Sequence, residues 1–272
     1  MKSYLRFLGR MTADIFGNFR RTFALAIFEY KLGTKNLVLG QLWKLLNPLI
    51  QTGVYWLVFG IGIRSGNPID GVPYVVWLTC GLTPWLIMSR SVTTPANSIY
   101  TKASILTRAN IPTYLVPFSA VIAVMLDSGW SVAILAVIFL GNGCIPTWTV
   151  FGLLYYFLCI LAFAFASSLI TSVLVMLARD FNQLIQAVMR MVYFLSPIFW
   201  KPGHALPEAF LLFDRCNPFG YVIRGFRNSL LFNTPFWEDT QGMLIFWSIV
   251  LVLYLLGAVC QSKLRKNLLD FL

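Results

Sequence analysis

The stretch VFGLLYYFLCILAFAFASSLITSVLVML, Val150–Leu177, decides the fold class. It holds no Asp, Glu, Lys or Arg. As a helix it would run about 40 Å, more than the roughly 30 Å of bilayer hydrocarbon. A helix apolar on every face belongs in lipid or in a protein core. Five further segments read as spans: Leu45–Ile63, Tyr74–Val92, Thr113–Leu140, Leu184–Trp200 and Met243–Cys260. Leu184–Trp200 is short and carries Arg190. Composition agrees, with 58% hydrophobic, 16% aromatic and 11% charged residues. A soluble domain carries about 25% charged residues, and a disordered chain is polar and aromatic-poor. The expected fold is all-α: one transmembrane domain over residues 1–272, with six spans.

The net charge of +11, from 21 Lys+Arg against 10 Asp+Glu, would suggest nucleic acid in a soluble protein. Here its distribution reads as topology. Lys2, Arg6, Arg10, Arg20, Arg21, Lys31, Lys35 and Lys44 precede the first span. Lys263, Arg265 and Lys266 follow the last one. Arg90, Lys102 and Arg108 flank the second connection, and Arg179 lies in the fourth. On the other side the first connection offers only Arg64, and Gly141–Thr147 offers none. Basic residues stay cytoplasmic, so both termini are expected inside a multi-pass cell membrane protein with no nucleic-acid partner. No cleavable signal peptide is expected, because the longest early apolar run, Phe23–Phe28, is short and follows Arg20 and Arg21.

The segments outside the spans are not featureless. Tyr4, Leu5, Phe7, Leu8, Met11, Ile15, Phe16 and Phe19 alternate at helical spacing with Lys2, Arg6, Arg10 and Arg20. That pattern predicts an N-terminal amphipathic helix at the cytoplasmic interface, either a plain anchor or a lever. In the connection Thr93–Pro112, residues Asn97, Ser98, Ile99, Tyr100, Lys102, Ser104, Leu106 and Arg108 fit about three helical turns. Docking element and ordinary turn are both open readings of it. Lys201–Gly242 is far longer than the median loop of about 4–6 residues. Pro207 opens one short helix there, and Asn217-Pro218 caps and starts another. Phe219, Val222, Ile223, Phe226 and Leu230 share a face of the second, with Arg224 and Arg227 on its flank. Two re-entrant helices forming an outer gate, or a cap packed on the bundle, would each satisfy this pattern. As outer-side cations, Arg224 and Arg227 are where an anionic substrate would be felt.

Asp127 falls in the middle of the third span, at a cost of about 2.5–3.5 kcal/mol, so it should face the bundle or a cavity. Structural hydrogen bonding and a transport role are both open to it. Arg190 lies nearer the cytoplasm, about 12 Å from Asp127 in depth, which argues against a direct pair. Cys144 and Cys216 fall outside the spans; unpaired thiols fit them better than a disulfide, since no cysteine framework is present. His204 has no ligating neighbours and reads as an exposed loop residue. GxxxxGK[ST], HExxH and GxSxG are all absent, which argues against nucleotide binding or catalysis by this chain.

Several segments then resemble one family, the permeases of ABC transporters that export polysaccharides and polyol phosphates. Gly40-Gln41-Leu42-Trp43 with Asn47-Pro48, Val54-Tyr55 and Val58-Phe59-Gly60 resembles its N-terminal motif. Gly81-Leu82-Thr83-Pro84-Trp85, Ile111-Pro112 with Leu115-Val116-Pro117, Arg179-Asp180 and Leu195-Ser196-Pro197-Ile198 follow in the family's order. Asn217-Pro218-Phe219 with Arg224 and Arg227 matches its last outer segment. Ile111 and Thr113 depart from the family's aromatic and basic residues around Pro112. The resemblance implies a homodimer with two cytoplasmic ABC ATPase subunits that bind ATP and Mg, while this chain holds no cofactor. It implies that Asn97–Arg108 is the helix coupled to the ATPase, and that the Lys201–Gly242 helices form the gate. Within the family the chain is most similar to wall teichoic acid exporters; O-antigen or capsular polysaccharide export is the alternative. Tyr55, Trp56, Trp77 and Trp85 are then candidates to stack on sugar or polyol, with Asp127 and Arg190 on the path. Aromatic residues at membrane interfaces are the commoner use of such side chains. A self-sufficient secondary transporter or channel is a remoter reading, echoed only by Pro84 and Pro197. A membrane-embedded transferase would need acid/base partners for Asp127.

Overall fold

A computed structural model describes residues 9, 11–15, 17–33, 38–63, 65–102, 112–201 and 208–267. In chain order the helices are α1 (Phe19–Leu32), α2 (Leu42–Tyr55), α3 (Tyr74–Ala96), α4 (Ser98–Thr101), α5 (Leu115–Asp127) and α6 (Gly129–Gly141). They continue with α7 (Gly152–Leu177), α8 (Asp180–Leu195), α9 (Glu208–Cys216), α10 (Pro218–Leu231) and α11 (Thr240–Asn267). A π-helical stretch, Trp56–Ile63, prolongs α2, and a 3₁₀ turn, Trp148–Phe151, leads into α7. The described residues are helical throughout, apart from turns and an isolated bridge between Ile69 and Val72.

Among the described residues, five continuous helical runs are long and apolar enough to cross a membrane: Leu42–Ile63, Tyr74–Ala96, Leu115–Gly141, Trp148–Leu177 and Thr240–Lys263. They match five of the six expected spans within a few residues. The third is made of α5 and α6, which meet at Ser128; Val132 N–H donates to the Ser128 carbonyl at 3.1 Å, so the helical ladder continues. The remaining expected span, Leu184–Trp200, is corrected. Its helix starts earlier, at Asp180, and stops at Leu195 after 16 residues. Pro197 is the cause, because a proline pushes its predecessor out of the helical region. Ser196 accordingly has ψ 148°. At about 24 Å, α8 is too short to cross the hydrocarbon unaided.

The central helix is α3. Within its apolar window 78% of residues are buried, against 17% for Leu42–Ile63 and 22% for Thr240–Lys263. It packs against α5, α6, α7 and α10, and α7 packs in turn on α11. The main core joins Trp77, Leu82 and Trp85 of α3 with Tyr156, Ile160 and Phe163 of α7 and Phe219, Ile223 and Phe226 of α10. The periphery is apolar as well: Val137, Phe151, Leu154, Leu251 and Phe194 are more than half exposed. A contiguous apolar exterior on this scale fits lipid, not water.

Of the expected N-terminal helix, residues 1–8, 10 and 16, with Tyr4, Leu5, Phe7, Leu8 and Phe16 among them, lie outside the described residues; the described part is more than an anchor lying on the surface. Met11, Ile15 and Ala26 are buried against Tyr114, Leu115, Phe118, Ile122, Leu169 and Ala258. Phe19, Phe23, Phe28 and Leu32 of α1 are exposed.

Candidate translocation path and coupling helix

The polar face of α8 is what lipid would tolerate least. Gln183, Gln186 and Arg190 recur every three or four residues, and all three are exposed. Beside them α2 and α3 leave a cavity of about 560 Å³. Gln51, Tyr55, Trp85, Ser89, Asn97 and Arg190 are among its lining residues. Four side chains singled out from the sequence, Tyr55, Trp85, Asn97 and Arg190, therefore meet in one space. Tyr193 braces its aromatic wall, with ring centroids 5.8 Å from Tyr55 and 5.2 Å from Trp85. Trp85 itself is 4% exposed and also packs on Phe219 at 5.1 Å, so little of its ring is open.

Trp56 and Trp77 stand elsewhere. Trp56 is 37% exposed on the π-helical stretch. Trp77 is buried beneath Arg227, whose guanidinium carbon lies 3.4 Å from the ring centroid. Arg227 corrects the expectation of an outer cation open to substrate. It is 4% exposed, and it donates to the carbonyls of Trp77 (3.3 Å), Pro197 (2.5 Å) and Ile198 (2.8 Å). The break at Ser196 leaves the Pro197 and Ile198 carbonyls outside any helical ladder, and the planar fork of Arg227 takes both. Gly81 makes room for it: a Cβ there would meet the guanidinium at under 3.0 Å.

The two short helices expected between Lys201 and Gly242 form as α9 and α10. The Asn217 side chain accepts from Phe219 N–H at 3.0 Å, with Pro218 in the first turn, as the sequence requires. Asn217 Nδ2 also donates to Ser196 Oγ at 2.9 Å, which ties α10 to the end of α8. Most of α10 is buried, so it fills the core instead of presenting one wet face. Arg224 pairs with Asp214 of α9. Burial raises the Asp214 pKa, and Arg224 partly opposes the rise. A folded-state pKa above the unfolded one means that the fold binds this proton more tightly. Asp214's contribution to stability should therefore grow as pH falls from its raised pKa toward the ordinary carboxylate value of 3.8, and Asp214→Asn should remove that slope from melting curves measured against pH. Residues 202–207, which hold His204 and Pro207, lie outside the described residues. Cys144 and Cys216 are free thiols.

Of the expected coupling segment, the single turn α4 is described; Ser104, Leu106 and Arg108 lie outside the described residues. That turn is held on three sides. Asn97 Nδ2 donates to Asn182 Oδ1 at 2.9 Å, at the start of α8. Ile99 is fully buried against Val116 and Val173. Lys102 pairs with Glu29 of α1. Ser98 is buried, while Tyr100 is 37% exposed with the Arg179 guanidinium carbon 4.4 Å from its ring centroid. Displacement of α4 would thus be felt by α1, α5, α7 and α8 together.

Asp127 is buried and bound by Lys44 Nζ at 2.9 Å and by Arg90. It does not meet Arg190. Lys44 and Arg90 read from the sequence as topology charges. Asp127's need for a counter-ion is the one signal that pointed to them.

Comparison with known proteins is consistent with this architecture. Residues 20–231 match the family described as ABC-2 type transporter. The chain is 26% identical over 245 residues to an O-antigen export system permease protein RfbA of Klebsiella pneumoniae, covering 90% of this chain and 92% of that one. A second Klebsiella pneumoniae protein of that name is 23% identical over the same shares. One from Myxococcus xanthus is 27% identical over 172 residues, covering 63% of this chain and 65% of its own.

Proposed function

This chain belongs to the ABC-2 type transporter family, as a multi-pass permease of an ABC exporter, and from that premise we propose that it exports a lipid-linked polysaccharide of O-antigen type. The relatives named as O-antigen export permeases favour this cargo over the wall teichoic acid suggested by the sequence motifs. The observation that carries the reading is the exposed polar stripe of α8 beside the aromatic-walled cavity. Gln186 and Arg190 on a membrane-embedded face cost several kcal/mol against lipid. A second copy of the chain covering that face, with a hydrated path between the two, removes the cost. Tyr55 and Trp85 would offer ring edges to passing sugars, and Arg190 a charge-assisted contact to the diphosphate head.

Two separate ATPase subunits would supply the energy, docking at Asn97–Arg108 with both termini on the same cytoplasmic side. ATP and Mg would be bound by those subunits. The contacts of α4 support the coupling role, because they link one exposed turn to four helices.

Vesicle reconstitution with lipid-linked O-polysaccharide tests the proposal. Polymer should reach the far leaflet only when both the ATPase subunit and ATP are present. Arg190→Glu should lower that rate about tenfold or more, the value of one contact to a charged group, with the melting temperature unchanged. Full-rate transfer by this chain alone would overturn the exporter-subunit reading. Preferential transfer of a polyol-phosphate polymer would overturn the cargo.

A further inference from the structure

Next to the cavity beside α8, with Gln51 and Thr94 lining both, lies a second one of about 430 Å³, walled by α1, α2, α3, α5 and α6. One end is cationic and polar: Lys44, Arg90, Asn47 and Thr94 line it. Leu86, Ala120, Ala123, Val124 and Pro48 give it an apolar wall, and Gln51 and Ser131 add neutral polar groups. Tyr30 and Trp43 stand at its rim, and Lys44 Nζ lies 3.3 Å from the Tyr30 ring centroid.

The charge balance at the polar end is unequal. The Asp127 carboxylate is shared by Lys44 and Arg90, so one positive charge is left over. Glu29, also on the wall, is already matched by Lys102 and accepts from Ser119 Oγ at 2.7 Å. Arg90 has a side chain 49% exposed and five N–H donors, and among the described residues only Asp127 accepts from it. A half-open guanidinium with spare donors, next to a lysine and above an apolar slot, matches a ligand with a multi-oxygen anionic head and a hydrocarbon tail.

We propose that this cavity binds the phosphate head of a membrane lipid, with Arg90 and Lys44 as its ligands and Asp127 as the internal anion that the phosphate displaces. The site adjoins the cargo path, sharing Gln51 and Thr94 with it, and the proposal stands whichever polymer is exported. A resident acidic phospholipid and a polyprenyl diphosphate carrier present the same chemistry.

Native mass spectrometry of the purified transporter, titrated separately with phosphatidylglycerol, phosphatidylcholine and a polyprenyl diphosphate, tests it. At least one of the two anionic lipids should bind about tenfold or more tighter than phosphatidylcholine. Arg90→Gln should erase that preference, and Lys44→Gln should weaken it. Asp127→Asn should strengthen it, because the competing carboxylate is gone; a purely structural ion pair would not produce these opposite effects. If Asp127→Asn does not fold, the Arg90 and Lys44 variants decide. A stronger preference for phosphatidylglycerol identifies a resident phospholipid, and one for the diphosphate identifies the carrier. Equal binding of all three lipids, or an Arg90→Gln variant that keeps the preference, would overturn the site.

Discussion

Arg227→Leu should cost roughly 3–5 kcal/mol of stability while leaving the apolar volume of the site largely filled. Among the described residues Arg227 has no carboxylate partner; its role is to satisfy backbone. Pro197 and Ile198 present carbonyls that no helix can use, and the guanidinium takes both at 2.5 and 2.8 Å. A leucine leaves them buried and unpaired, at about 1–3 kcal/mol each. The stacked contact over Trp77 goes too, worth up to about 2 kcal/mol when desolvated. Lysine should recover only part of the loss, since one ammonium cannot reproduce the fork. Melting of the detergent-purified protein reads the effect. A leucine variant melting within about 3 °C of wild type would mean a loss near or below 1 kcal/mol and would defeat the argument.

That arginine also marks where the sequence stops being informative. Helix existence was plain, because apolar runs of 18 or more residues have few alternatives. Asn217-Pro218 even specified a helix start to the residue, since a side-chain cap and a first-turn proline act locally. The fifth span failed on a rule that was available: Pro197 restricts Ser196, so the helix had to end at Leu195. Helix periodicity, however, says only that a face exists. It placed Arg227 on the flank of an amphipathic helix, and α3 and α8 packed over that flank.

The candidate sites divide along the same line. Tyr55, Trp85, Asn97 and Arg190 were each legible by type and depth, and the fold gathered them into one cavity. Gln51 and Gln186 were not, because a neutral amide in an apolar run carries little weight until its neighbours are known. Asp127 announced that it needed a partner but not which one. Lys44 precedes it by more than eighty residues, and only the packing of α2 beside α6 brings them together.

Gly225→Val should destabilise α10 strongly, though glycine is ordinarily the weaker residue inside a helix, by about 1 kcal/mol against alanine and less against valine. A Cβ at this position would lie under 3.0 Å from the Tyr156 ring. The ring cannot yield, because Tyr156 is 2% exposed and packs on Tyr155, Tyr221 and Phe226, with centroids 5.2, 5.8 and 6.3 Å away. Overpacking of this kind costs about 1–3 kcal/mol or more, which outweighs any gain in helix propensity. Tyr156→Ala alone should cost about 3–5 kcal/mol through the cavity it leaves. The two losses should not add. With the ring gone the valine enters vacated space, and the double variant should be more stable than the sum of the singles predicts by about 1–3 kcal/mol. Additive losses in that cycle would show that glycine is required at 225 for some reason other than the Tyr156 ring.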